Sequence, residues 1–130
     1  MKTVLFACVH NAGRSQMAAA FFNAIADPSL ARALSAGTEP ASRIHPEVVE
    51  VMREAGIELA GVPQRLSGDL ARSADVLVTM GCGETCPALP GVKRIEWNLQ
   101  DPQGRRMDDV RAIRDRIRAL VTDLANEGLR

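Results

Sequence analysis

The nineteen residues from Val4 to Phe22 limit the folds open to this chain more than any other stretch. An apolar, partly β-branched run (Val4, Leu5, Phe6, Ala7) gives way, across a loop containing Gly13, to an Ala-rich segment of helical composition. Cys8 therefore falls where a strand hands over to a helix. Such a junction favours anions, because the free N–H groups of the loop and first helical turn point into one concavity and the helix dipole adds partial positive charge there. Arg14 offers a planar fork suited to tetrahedral oxyanions. The same field favours a thiolate, so Cys8 is expected to be a deprotonated nucleophile at neutral pH. Gly13 is expected to supply backbone geometry that a Cβ would hinder, and Ser15 to bring a hydroxyl near the sulfur.

The rest of the chain reads as scaffolding for this junction. Its 130 residues suffice for one core, so a single domain over residues 1–130 is expected. Lys plus Arg balance Asp plus Glu at 16 each, and no long basic run appears, which argues against nucleic acid or an anionic membrane as partner. The arginines at 105, 106, 111, 114, 116 and 118 are interleaved with Asp108, Asp109 and Asp115 and read as a solvated helix face. No apolar run approaches the ~20 residues that span a bilayer, and no signal-peptide pattern precedes Cys8. Three cysteines, an odd number, suit a reducing compartment better than a secreted disulfide scaffold. A cytoplasmic protein is expected, and a monomer.

Taken in order, the expected elements are a strand over Thr3 to Ala7 and a helix from about Gly13 to Ala26, with Met17, Phe21, Ala24 and Ile25 on its buried stripe. A short strand over Ala33 to Ala36 and a helix opening at His45 and Pro46 follow, the latter with Val48, Val49 and Met52 inward and Gly56 as its stop. Residues 57–73 read as a loop and then a short helix through Leu70. Asp75 to Thr79 is a strand, Gly81 to Gly91 is loop-rich, and Lys93 to Trp97 is a fourth strand with Ile95 and Trp97 on one face. Val110, Ile113, Ile117, Leu120, Val121 and Leu124 mark a long amphipathic C-terminal helix. Strands alternating with helices predict an α/β fold, a parallel sheet with helices on both faces.

The spacing of Cys8, five residues, Arg14 and Ser15 resembles the phosphate loop of the low-molecular-weight protein tyrosine phosphatase superfamily, and Val9 to Met17 looks most like its arsenate reductase branch. The resemblance implies a four-stranded sheet of order 2-1-3-4 and an oxyanion-binding loop made of Val9, His10, Asn11, Ala12, Gly13, Arg14 and Ser15. In it Asn11 braces the loop. In sheets of this kind, ligands sit beyond the carboxyl ends of the strands where the order reverses, here beside strand one. Cys8, Cys82 and Asp101 each follow a strand that ends on that edge. Asp101-Pro102 matches the superfamily's general acid, although a turn aspartate before proline reads as well. His10 reads as a solvent-facing loop histidine, and His45 and Trp97 as helix-start and packing residues.

Cys82 and Cys86 separate the candidate functions. Arsenate copies phosphate in shape and charge, so it should enter the loop and be attacked by Cys8. Cys82 then attacks the Cys8 sulfur, expelling arsenite, and Cys86 moves the disulfide on to a pair that a cellular reductant can reach. Thioredoxin is the first choice of reductant, and a low-molecular-weight thiol with a glutaredoxin-like partner the second. No cofactor is needed. Zinc would need four ligands for a structural site, which Cys8, Cys82, Cys86 and the two histidines barely supply, so no metal is expected. Inert buried thiols are the bland alternative. The competing activity is phosphate monoester hydrolysis, as in low-molecular-weight tyrosine phosphatases. With no Tyr, three Phe and one Trp, the chain is poorly supplied for gripping an aromatic ring. A non-enzymatic oxyanion or metal sensor is a third reading.

Overall fold

The computed structural model describes residues 1–81 and 91–127. Its elements are β1 (Lys2–Cys8), α1 (Arg14–Ile25), β2 (Ala31–Gly37), α2 (Pro46–Glu54), α3 (Gly68–Arg72), β3 (Val76–Thr79), β4 (Lys93–Glu96) and α4 (Met107–Glu127). The strands form one parallel sheet, as the alternation of elements predicts, in the order β2-β1-β3-β4 that the resemblance implies. Cys82, Cys86 and the loop-rich segment up to Pro90, named above from the sequence, lie outside the described residues.

β1 sits at the centre because its sequence is apolar at consecutive positions, so both faces can be covered. Val4, Phe6 and Cys8 point into the main core with α1, α2 and α4, while Leu5 and Ala7 face a smaller cluster with Ala71, Ala74 and Leu77. Phe6 anchors the larger side, tilted against Phe22 at 6.0 Å and Trp97 at 5.6 Å between ring centroids. Ile95 and Trp97 both pack on this cluster. Asn23 of α1 holds the β2 edge, its Nδ2 donating to the Ala33 carbonyl (3.1 Å) and its Oδ1 accepting from the Ala33 amide (2.8 Å).

Three expectations change. Ala24 and Ile25 are exposed, and α1 instead buries Met17, Ala18, Phe21 and Phe22. Its first turns are covered on all sides, whereas its last turn emerges into solvent, so periodicity misplaced the stripe's end. In α2, Val51 is fully buried beside Val48 and Met52, and Val49 only partly. The arginine-rich face of α4 is not simply solvated: Arg111 and Arg114 reach across to Glu54 of α2 at 2.9 and 3.1 Å, and Arg114 Nη1 also donates to the Val51 carbonyl. These guanidinium groups hold the Glu54 carboxyl below its ordinary range, Arg111 contributing most.

Candidate active site

The loop from Val9 to Gly13 joins the end of the central strand to α1, and its carbonyls are all turned away from the helix mouth. Those of Cys8, Val9, His10 and Ala12 accept from the amides of Thr38, Glu39, Ala41 and His45 at 2.8–3.2 Å. The Asn11 carbonyl accepts from Gln16 Nε2, and that of Gly13 from Met17. Among the described residues, no acceptor takes the amides of Val9 to Ser15. Gly13 is the N-cap of α1 and offers no side chain to its first turn, which also lacks an acidic residue. In α3, by contrast, Ser67 caps the helix through a bond from Leu70 N. Uncapped amides and an uncompensated dipole suit the start of α1 to an anion, with no competing group among the described residues.

Gly13 has the expected unusual backbone, with φ −144° and ψ −93° outside the helical and extended regions, and a second special position lies beside it. Asn11, not Gly13, takes a left-handed conformation (φ 50°), which asparagine tolerates better than most residues. Gly13 is required for space: a Cβ there would stand 2.8 Å from Pro102 Cγ. Gly37, at the end of β2, likewise admits the loop, since a Cβ would lie 2.6 Å from the Val9 carbonyl oxygen.

Inside the loop, polar side chains form a directed chain. The backbone amide of Gln64 can only donate, so the Asn11 atom that it meets at 2.9 Å is Oδ1. Asn11 Nδ2 then faces Ser15 and donates to its Oγ at 2.7 Å. Ser15 Oγ lies 2.9 Å from Cys8 Sγ, and because a thiolate carries no hydrogen, a deprotonated Cys8 accepts from the Ser15 hydroxyl. Cys8 is 2% exposed, Asn11 and Ser15 are fully buried, and a buried thiolate in this position receives a donor as well as the helix dipole.

Arg14 is 6% exposed and is held from three sides. Its Nη1 donates to the Leu99 carbonyl at 3.2 Å, and Nη2 lies 3.9 Å from Asp101 Oδ2. Gly81 presses against the guanidinium so closely that a Cβ at that position would overlap Nη1; its φ of 87° is also one that only glycine adopts readily. Asp101 makes the turn contact considered for it and also faces Arg14. Its Oδ1 closes a turn by accepting from Gln103 N at 3.0 Å, which leaves Oδ2 turned towards Arg14. Buried Pro102, against Gly13, sets the separation of this turn from the oxyanion loop.

The described site thus joins Cys8, Asn11, Gly13, Arg14, Ser15 and Asp101. His10 is half-buried with Nδ1 against the Glu39 carbonyl at 3.1 Å, less open than a solvent-facing residue. His45 is the N-cap of α2 and Trp97 packs on Phe6, in line with their readings. Gln16, Gly37, Gln64, Gly81 and Leu99 carried no sequence signal for the site. Most act through backbone atoms or through space, and Gln16 is one amide in a helical run.

This geometry meets known proteins along its whole length. A Halobacterium salinarum protein provisionally assigned as an arsenate reductase is 42% identical over 127 residues, covering 94% of this chain and 89% of its own. The glutaredoxin arsenate reductase of Synechocystis is 33% identical over 128 residues, covering 95% of this chain and 96% of its own. Among solved structures, the thioredoxin-dependent arsenate reductase of Corynebacterium glutamicum superposes with a TM-score of 0.77 at 39% identity. That match takes in 98% of this chain but 63% of the Corynebacterium chain. A model of the low molecular weight phosphotyrosine protein phosphatases matches residues 3–130, and the chain belongs to that family.

Proposed function

We propose that this chain, as one domain over residues 1–130, reduces arsenate to arsenite using Cys8, Cys82 and Cys86 as the source of two electrons. Arsenate occupies the seat at the start of α1, its oxygens held by the loop amides and the Arg14 fork. Cys8 Sγ attacks arsenic, and Asp101 protonates the oxygen that leaves as water. Cys82 then attacks the Cys8 sulfur. The S–As bond breaks with its electron pair on arsenic, which departs as arsenite, and a Cys8–Cys82 disulfide remains. Cys86 attacks Cys82, freeing the Cys8 thiolate and leaving Cys82–Cys86 for an external dithiol to reduce.

The observation that carries this reading is the convergence on Arg14. The residue that holds the oxyanion touches Asp101 on one side and, on the other, Gly81, whose next neighbour in the chain is Cys82. A phosphatase needs the first contact only. The names of the relatives support arsenate as substrate and offer both thioredoxin and glutaredoxin systems as reductant; thioredoxin is the first choice here.

The test supplies arsenate with thioredoxin, its reductase and NADPH, or with glutathione and glutaredoxin, and follows arsenite beside aryl phosphate hydrolysis. Wild type is expected to turn over repeatedly with one of the two systems. Cys8→Ser should be inert, and Cys82→Ser should complete no more than one transfer. Vigorous aryl phosphate hydrolysis without arsenite would replace this reading with the phosphatase one.

A further inference from the structure

The hydrogen-bonded chain that ends on Cys8 starts outside the oxyanion loop, at Gln16. This side chain is 7% exposed, and its Nε2 lies 3.1 Å from the Asn11 carbonyl oxygen and 3.3 Å from Asn11 Oδ1. Both neighbours are acceptors, so the amide must present its nitrogen to them. Gln16 thereby satisfies the carbonyl of the one left-handed residue in the loop and joins the Gln64 amide in fixing which way the Asn11 amide points. The segment around Gly61 keeps Gln16 in place, since a Cβ at Gly61 would stand 3.1 Å from Gln16 Oε1.

We infer that Gln16 is a positioning residue that sets the polarity of the Asn11–Ser15–Cys8 chain and so keeps the Ser15 hydroxyl donating to the attacking sulfur. The consequence follows from donor counting. If the Asn11 amide turns over, its oxygen faces Ser15, the Ser15 hydrogen goes to that oxygen, and Cys8 Sγ is left facing a lone pair. A thiolate at that place loses a charge-assisted hydrogen bond. The Gln16 side-chain hydrogen bonds run to Asn11, and from there the chain passes through Ser15 to Cys8.

Gln16→Glu is the sharpest probe, because it keeps size while setting a carboxylate against two acceptor oxygens, which favours the turned-over Asn11. The readout is alkylation of Cys8 by iodoacetamide across pH, in protein whose Cys82 and Cys86 are both serine. This reports the sulfur alone and stands whether or not arsenate is the substrate; the proposal above can fail without touching it. The charged and titratable side chains around the loop, Arg14, Asp101 and His10, are the same in every variant. Gln16→Glu should slow alkylation at about pH 7 by about tenfold, the size of one lost hydrogen bond to a charged group, and move the profile to higher pH. Gln16→Met, which removes the donor without adding charge, should move it the same way by less. In a Ser15→Ala background neither change should have a further effect. Overturning results are an unmoved profile in both single variants of native thermal stability, or an undiminished effect of Gln16→Glu without Ser15, which would mean that charge acts directly through space.

Discussion

Arg14 and Gly81 show how tightly single positions are determined at this site. With the guanidinium buried and bonded to Leu99, it cannot step aside for a methyl group at position 81. Gly81→Ala should therefore misplace the oxyanion fork, raising KM for arsenate by about tenfold or more in steady-state kinetics, the cost of weakening one charge-assisted contact. The strained φ adds about 1 kcal/mol of destabilisation, readable in urea unfolding. An unchanged KM would mean that Arg14 does not hold the anion. Sequence made the loop's own residues legible because strand, glycine and helix are local signals. The glycine signal marks Gly13, whose backbone does lie outside the helical and extended regions, but neither the left-handed turn at Asn11 nor the room that Gly13 leaves for Pro102. That second demand comes from a residue 89 positions away, and no local pattern encodes it.

Between elements, legibility followed periodicity. The four strands and the long helices were marked by runs of apolar residues, whereas residues 57–66 form an isolated bridge from Arg65 to Gly37 and supply the Gln64 amide, contacts without a repeating pattern. The α2–α4 clamp was misread because a charged helix face looks the same in sequence whether its partner is water or Glu54. Its chemistry makes a signed prediction. The Glu54 carboxyl, held below its ordinary value of 4.5 by Arg111 first and Arg114 second, adds stability at every pH above that value and loses it as pH falls through the lowered one. Thermal unfolding should show wild type losing stability more steeply than Glu54→Gln as pH falls below about 4.5. Part of the slope should survive in the variant, since Asp27 and Glu58 are also held low, by Ser29 and Arg53 respectively. Parallel slopes in the two proteins would remove Glu54 from the acid response.

For the molecule as a whole, parallel strand direction does the organising. β1, β3 and β4 end on one edge, so Cys8, Gly81 and Asp101 are delivered to one mouth from distant parts of the sequence. Alternating strands and helices were enough to expect this, and the described contacts of Arg14 with Gly81 and Asp101 are its local outcome. No helix among the described residues is long and apolar enough to cross a membrane. The central claim is that the electrons come from the protein's own sulfur. It is tested most directly by mixing fully reduced protein with excess arsenate and no external thiol, then measuring arsenite and free thiols together. The account predicts one arsenite per chain, two of the three thiols lost, and a Cys82–Cys86 disulfide found by peptide mapping. Three intact thiols, or arsenite formed while Cys82 and Cys86 stay reduced, would contradict it.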